Sequence, residues 1–282
     1  MAQPRVVTAG VVSIACLLAA WTIAPGAGAK APGAGAQAPV QAPAPAQAPA
    51  ALQDTGSYLY RFVIIQAAPG RLLDLIDLYK NRLPVIQAGG DELPFIARHS
   101  QGDFWDLCII YPSASFTDYY SQGRVAKRDA AARASGVPNA EFAQTFYSMV
   151  AWHEDLYAEG PPLAVFRDHV RGGGLAHFEM LQALPGKRDE LIRERQAENV
   201  YNHERGRPHT LIFVHDQGAA WDVVTLDAFR DWRHFAEQET IPADVSAAAA
   251  KKAGFAAPDA IGPYMRTLIS THRDTLGPIV SK

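Results

Sequence analysis

The chain is poor in cysteine, with two in 282 residues. That excludes a disulfide scaffold and any module built on several zinc-ligating cysteines. An excess of one charge is also missing: 26 basic residues against 29 acidic ones leave a net charge of −3. No basic field therefore points to nucleic acid. No Gly-rich phosphate loop follows a strand, since Gly172-Gly173-Gly174 precedes one and reads as a hinge. The patterns Gly-x-Ser-x-Gly, His-Glu-x-x-His and Cys-x-x-Cys are absent. Nucleotide hydrolases, serine hydrolases and the commonest metalloproteases are poor fits. What remains is ordinary globular composition, 48% hydrophobic and 20% charged.

Residues 1–53 hold no Asp or Glu, and their only basic residues are Arg5 and Lys30. The stretch 6–23 is apolar or small and ends near Ala27-Gly28-Ala29. This reads as a signal peptide over 1–29, cleaved before Lys30, and predicts an exported protein, periplasmic or secreted. The alternative is a membrane anchor made by the same apolar stretch left uncleaved, since its length is near the lower limit for a spanning helix. Residues 30–53 are rich in Ala, Pro, Gly and Gln, have little to bury, and read as a disordered linker.

The rest of the chain repeats. Gln66-Ala67-x-Pro69-Gly70 returns as Gln182-Ala183-x-Pro185-Gly186, and His99-x-Gln101-Gly102-x-x-Trp105-Asp106 returns as His215-x-Gln217-Gly218-x-x-Trp221-Asp222, both at an offset of 116. A later apolar stripe matches at an offset of 119: Phe142, Phe146, Met149, Val150, His153 and Asp155 answer Ile261, Met265, Leu268, Ile269, His272 and Asp274. The spacing reads these stripes as helices. Units this long are domain-sized, giving a first repeat over 54–171 and a second over 172–282. Each reads as strand, helix, two strands and helix: Leu59–Ile65, a helix from Pro69-Gly70 that Pro84 should kink or end, Phe95–His99 and Phe104–Tyr111. Pro161–Val170 offers a closing strand for the first unit, while the second leaves little room for one.

Leu107–Tyr111 and Leu211–Val214 barely alternate apolar with polar, so both sheet faces should be covered. Helices can cover one face and the other unit's sheet the second, which predicts an α+β fold of two ferredoxin-like repeats. Their antiparallel sheets would pack back to back as an internal pseudo-dimeric barrel, with extra helices outside. The element order, the Pro-Gly helix start and the hairpin resemble dimeric α+β-barrel proteins of the NIPSNAP and antibiotic-biosynthesis-monooxygenase type, over about residues 57–160 and 173–276. That group includes cofactor-free monooxygenases, haem-degrading enzymes and isomerases. The resemblance implies a small-molecule site, but no family motif assigns catalytic residues here.

Several residues are candidates for chemistry. His99 with Asp106, and His215 with Asp222, could form acid–base pairs beside the hairpins; the other reading is a hairpin lock, with Trp105 and Trp221 packed over the turn. His153 and His272 are functional or hydrogen-bonded core histidines. On the first strands the even positions (Tyr60, Phe62, Ile64, Phe178, Met180) are apolar and should meet the helices. The odd positions Arg61, His177 and Glu179 would then look into the barrel and hold a ligand, with Trp105 and Trp221 beside them. His177-x-Glu179 with His203, His209 or His215 is weak metal spacing, so no metal and no cofactor is expected.

The sequence thus predicts an exported protein that binds an unknown small molecule, with cofactor-independent oxygenase or isomerase activity. The alternative is a non-catalytic structural or interaction module. Neither nucleic acid nor a membrane partner is expected, apart from an uncleaved N-terminal segment.

Overall fold

A computed structural model describes residues 56–280. The signal peptide, its uncleaved alternative and the linker lie outside the described residues. The first half runs β1 (Tyr58–Ala67), α1 (Leu72–Ala88), β2 (Phe95–Arg98), β3 (Gln101–Gly102), β4 (Leu107–Ala114), α2 (Phe116–Tyr119), α3 (Gln122–Ala134), α4 (Asn139–Met149) and β5 (Val150–Gly160). A connecting helix α5 (Leu163–Val170) follows. The second half runs β6 (Leu175–Ala183), α6 (Arg188–Glu204), β7 (Leu211–Gly218), β8 (Val223–Phe229), α7 (Trp232–Ala236), α8 (Ala243–Lys252), α9 (Ile261–Arg266) and β9 (Ile269–Pro278).

Local sequence explains the turns. Gly70 and Gly186 take φ of 78° and 75°, a left-handed geometry that costs glycine little. Ser115 and Ser121 accept hydrogen bonds from the amides of Asp118 and Arg124, capping α2 and α3. α1 continues past Pro84 to Ala88. The expected end fails because Pro84 leaves only its own bond to the carbonyl of Lys80 unmade, and the helix is bonded again beyond it, with Gly89 N donating to the Val85 carbonyl at 2.9 Å.

The strands follow the order β2-β4-β1-β5-β7-β8-β6-β9-β3. Each half is the antiparallel ferredoxin-like arrangement, with β7 of the second half matching β2 and β3 of the first. The halves join edge to edge: Leu156 pairs with Gly218 at one seam, and Thr275 with Gly102 at the other. Ala97 bridges Ile279, so the sheet closes on itself. The expected internal barrel is therefore one continuous closed sheet, not two sheets stacked back to back, and closure leaves no free edge. Gly102 and Gly218 explain the repeated Gln-Gly pair. Their φ values are 112° and 102°, and a Cβ at either would run into the backbone carbonyl of Asp274 or Asp155 across the seam.

Three expectations are corrected. Residues 150–160 and 269–278 are strands, so His153 and His272 sit on β5 and β9 rather than on helices. The helical stripe was real only up to Met149; beyond it the His-x-Asp spacing follows the two-residue period of a strand. The segment Pro161–Val170 supplies helix α5, not a closing strand. β5 and β9 are the fourth strands, and the second half has room for its own.

The third correction concerns the faces. Tyr60, Phe62, Ile64, Phe178 and Met180 point into the barrel, where Phe95, Trp105 and Phe213 join them. Phe166 of α5 enters the same cluster, and its ring lies 5.1 Å from that of Tyr60 and 6.3 Å from that of Phe213. The odd positions face outward: Val63 and Ile65 pack against Leu75 and Tyr79 of α1, while Leu181 packs against Leu191 of α6. Arg61, His177 and Glu179 therefore lie between sheet and helices. A closed barrel full of rings offers a charge neither partners nor water, whereas amphipathic helices carry polar groups to the outer face. Among the described residues no helix is long and apolar enough to cross a membrane.

Candidate functional site

The outward faces of β1 and β6 create two chambers, one per half, at equivalent places. In the first half a cavity of about 330 Å³ lies between β1, β4 and the helices. Arg61 forms its floor. The guanidinium donates from Nε to Asp155 Oδ1 at 2.7 Å, and Nη2 reaches the same oxygen at 2.5 Å. His153 Nδ1 lies 3.2 Å from the other oxygen, Asp155 Oδ2. Burial works against the charge on Arg61, but Asp155 beneath it wins and raises its pKa. Arg61 is a permanent cation facing the cavity.

The walls are phenolic and aromatic. Tyr111 hydrogen-bonds Tyr79, and burial pushes the Tyr111 phenol up to about 12. The hydroxyls of Tyr120 and Tyr157 are 2.5 Å apart. Arg82 donates to the Val137 carbonyl at 2.8 Å and lies over the Phe142 ring at 4.8 Å. Arg128 stacks on Tyr119 at 4.1 Å and donates to its carbonyl at 2.6 Å. Asp91 pairs with Arg124 at 2.6 Å and with Arg128 at 3.4 Å. The chamber combines flat apolar surfaces with a fixed positive charge, and its walls are already positioned by their own bonds.

The second-half chamber is smaller, about 200 Å³, and far more ionic. His177 occupies the place of Arg61, and Asp274 that of Asp155. His177 Nδ1 lies 3.3 Å from Asp227 Oδ2, and Nε2 bonds Asp274 Oδ1. Burial would lower the His177 pKa, but these two carboxylates push it up to about 10, so it is an imidazolium at neutral pH. Glu179 replaces Val63. Its Oε2 accepts from Arg195 at 3.1 Å and from the Thr225 hydroxyl at 3.2 Å, while Oε1 faces His272 Nε2 at 3.1 Å. Burial opposes ionisation of Glu179, yet Arg195, His272 and His177 hold it at about 2. Arg195 is also paired with Glu194 at 2.6 Å and with Glu198 at 2.5 Å. Glu198 is pushed up to about 7 by burial and by its acidic neighbours Glu194 and Glu179, despite Arg195.

The other sequence candidates sit elsewhere. Asp106 Oδ2 accepts the Ala67 amide at 2.8 Å, and Asp222 Oδ2 accepts the Ala183 amide at 2.8 Å. Both amides lie at the matching bulges of β1 and β6, so each carboxylate fastens the end of a first strand. His99 and His215 donate their backbone amides to the Asp106 and Asp222 carbonyls at 2.8 and 3.0 Å, and neither lines a chamber. Trp105 is buried in the barrel. Trp221 donates to Glu154 Oε1 at 2.7 Å across the seam. Glu179 gathers His272 and Asp274, not His203, His209 or His215. Sequence reasoning passed over Tyr79, Arg82, Tyr111 and Arg195, whose one signal was a polar or phenolic residue on a face otherwise read as core.

This geometry defines the class: an α+β barrel of two fused ferredoxin-like halves with chambers outside the barrel. No protein-family model matches the chain, and no curated protein does. Among solved structures it is similar to an anthrone oxidase-like protein, with a TM-score of 0.50 at 10% identity, covering 80% of this chain and 92% of that one. A candidate monooxygenase from Fusobacterium nucleatum gives a TM-score of 0.47 at 8% identity over 80% of this chain and 94% of that one. A chlorite dismutase variant from Candidatus Nitrospira defluvii gives 0.45 at 9% identity over 82% and 94%. At these identities the first likeness establishes the fold alone. The NIPSNAP branch of the resemblance is not singled out.

Proposed function

We propose that the protein is exported and binds a small planar molecule bearing a carbonyl or phenolic oxygen, in the first-half chamber. We further propose that it acts on this molecule as a cofactor-independent oxygenase. The observation that supports this reading is Arg61: a cation fixed by Asp155 on the floor of a cavity walled by Tyr111, Tyr119 and Phe142. A ring slides between the aromatic walls, and its oxygen meets the guanidinium. Charge that develops on that oxygen when a C–H proton conjugated with it leaves is stabilised by a group already in place. Asp91, paired with Arg124 and Arg128, and Glu92, paired with Arg167, line the same chamber, and one of these carboxylates takes the proton by releasing an arginine. The resulting enolate can reduce dioxygen directly; reprotonation at another carbon gives an isomerase instead, from the same first step.

Anthrone is the probe of choice, because the fold resembles an anthrone oxidase-like protein. One anthrone and one O₂ give one anthraquinone and one water. The reading expects oxygen uptake at that ratio, and a fall of about 100-fold in rate for Arg61→Met, as for loss of one oxyanion donor. Binding of 1-anilinonaphthalene-8-sulfonate should weaken in parallel. Absence of uptake with anthrone, with naphthyl-sulfonate binding indifferent to Arg61→Met, would remove the proposal.

A non-catalytic reading has its own support. The repeated Asp106 and Asp222 both spend their carboxylates on backbone amides, and the barrel interior is filled. That explains the conspicuous repeated motif without chemistry, but it leaves Arg61 and its chamber unexplained.

A further inference from the structure

The second half carries an arrangement that the small-molecule reading does not use. Glu179 Oε1, His272 Nε2 and an Asp274 carboxylate oxygen converge, all within 4.8 Å of one another. The individual separations are 3.1 Å from Glu179 to His272 and 3.8 Å from His272 to Asp274 Oδ2. Ligands about 2.0–2.2 Å from a tetrahedral ion stand roughly 3.3–3.6 Å apart, a range that these two separations bracket, so shifts of a few tenths of an ångström would bring the atoms to an ion. They come from β6 and β9, paired neighbours in the sheet, which makes the placement rigid.

We infer that Glu179, His272 and Asp274 form a binding site for a divalent first-row transition metal ion of the zinc class, with its fourth position open to water. One imidazole and two carboxylates suit such an ion. A three-residue set with an open position is the pattern of a reactive rather than a purely structural metal. The side chains of Glu179 and His272 are 16% and 14% exposed, whereas that of Asp274 is 55% exposed, so one side of the set is open to entry from solvent.

Three further observations support the inference. The ligands already have outer partners. Glu179 Oε2 is engaged by Arg195 and Thr225, leaving Oε1 toward the set. His177 bonds Asp274 Oδ1, leaving Oδ2 toward His272, and is itself bonded to Asp227. Such outer bonds orient ligands in metal sites. Negative charge is also in excess. Glu179, Glu194, Glu198, Asp227 and Asp274 outnumber Arg195, Arg205 and His177. Finally, the first half supplies an internal control. His153 and Asp155 occupy the places of His272 and Asp274, but Val63 stands for Glu179, and Arg61 fills the space with a cation that cannot ligate.

The test uses the full chain and zinc alone. After chelation and dialysis against micromolar Zn²⁺, the protein should hold one zinc per chain by elemental analysis. His272→Gln and Asp274→Asn should each weaken binding at least tenfold, since loss of an outer partner of a ligand alone costs about 10- to 100-fold, while His153→Gln leaves it unchanged. Circular dichroism checks that the variants fold. Should one fail to fold, the wild type decides the matter: substoichiometric Co²⁺ should shift and broaden the His272 ring signals before those of His153. Less than a tenth of an equivalent retained, affinity unmoved in both second-half variants, or no preference for His272 in the cobalt experiment would each overturn the assignment. Because the set lies in the other half, its failure leaves the Arg61 chamber standing, and the reverse.

Discussion

At the middle of the first strand of each half an outward-facing cation meets a carboxylate of the fourth strand: Arg61 with Asp155, and His177 with Asp274. Around that shared pair the two chambers diverge. The first is wider and lined with rings and guanidinium groups; the second is narrower and crowded with carboxylates. What did not diverge is the seam and the strand ends. Gly102 and Gly218 occupy the same crossing, and Asp106 and Asp222 hold the same amide. Closure of the barrel depends on these positions, so both copies keep them. The wall facing the helices carries no such constraint, and the halves have used it differently.

The sharpest way to break the comparison is at the seams. Gly102→Ala and Gly218→Ala each force a side chain onto a left-handed φ and into a backbone carbonyl that cannot move without opening the barrel. Each should cost about 3 kcal/mol or more by urea unfolding, and by similar amounts. A loss below about 0.5 kcal/mol at either position would show that the seam is not closed there.

A smaller effect separates the chambers by pH. The His177 pKa rises from 6.5 to about 10, so its stabilisation is whole below pH 6.5 and is lost as pH rises through 10. Glu198 is raised from 4.5 to about 7, so what it contributes below pH 4.5 is lost as pH rises through 7. Glu179 is lowered from 4.5 to about 2, and its contribution, present above pH 4.5, is lost as pH falls through 2. In chelator, the second half should therefore be firmest near pH 4.5 to 5 and loosen toward pH 10, by several kcal/mol. Around the first chamber Arg61, Tyr79, Tyr111 and Tyr119 are shifted upward from ordinary values already at 10 or above, and burial shifts Arg82 down from 12.5. Native-state hydrogen exchange, corrected for intrinsic rates, should show the drift in α6 and not in α1. Equal drift in both would contradict the assigned charges.

The strand-end locks come next. Asp106→Ala and Asp222→Ala should each cost about 1–2 kcal/mol, the penalty of leaving a part-buried amide unpaired, with Asn restoring much of it. Loss of activity at full stability would instead return these carboxylates to catalysis. Smallest of all, Cys108 is buried and its thiol is pushed up, so it should resist thiol reagents until the chain unfolds.

Much of the fold was legible in the sequence, for reasons these residues illustrate. The Pro-Gly starts, the Gln-Gly crossings and the Trp-Asp strand openings mark backbone events, and backbone events repeat with the fold. The facing of β1 and β6 was not legible, because a strand of a helix-covered barrel is buried on both sides and the alternation rule loses its water reference. Val63 and Ile65 are as apolar as Phe62 and Ile64. Only the size of Tyr60, Phe62 and Phe178 hinted that they fill a barrel. Spacing alone extends the helical stripes of Phe142, Phe146 and Met149, and of Ile261, Met265 and Leu268, over His153 and His272, although the stripes end where β5 and β9 begin. The chamber walls come from α1, α2, α3, α4 and α6, and no spacing within one segment shows that Arg61 will share a cavity with Tyr119 and Phe142.

The central claim is that the working chamber lies outside a filled barrel, with Arg61 at its floor. Hydrogen exchange read by mass spectrometry, with and without 1-anilinonaphthalene-8-sulfonate, tests it directly. The account predicts slowed exchange over residues 82–92 and 116–128, which wall the chamber, and no change at the barrel-end turns 99–106 and 215–222. Protection at those turns, with the chamber segments unaffected, would put the ligand in the barrel and contradict it.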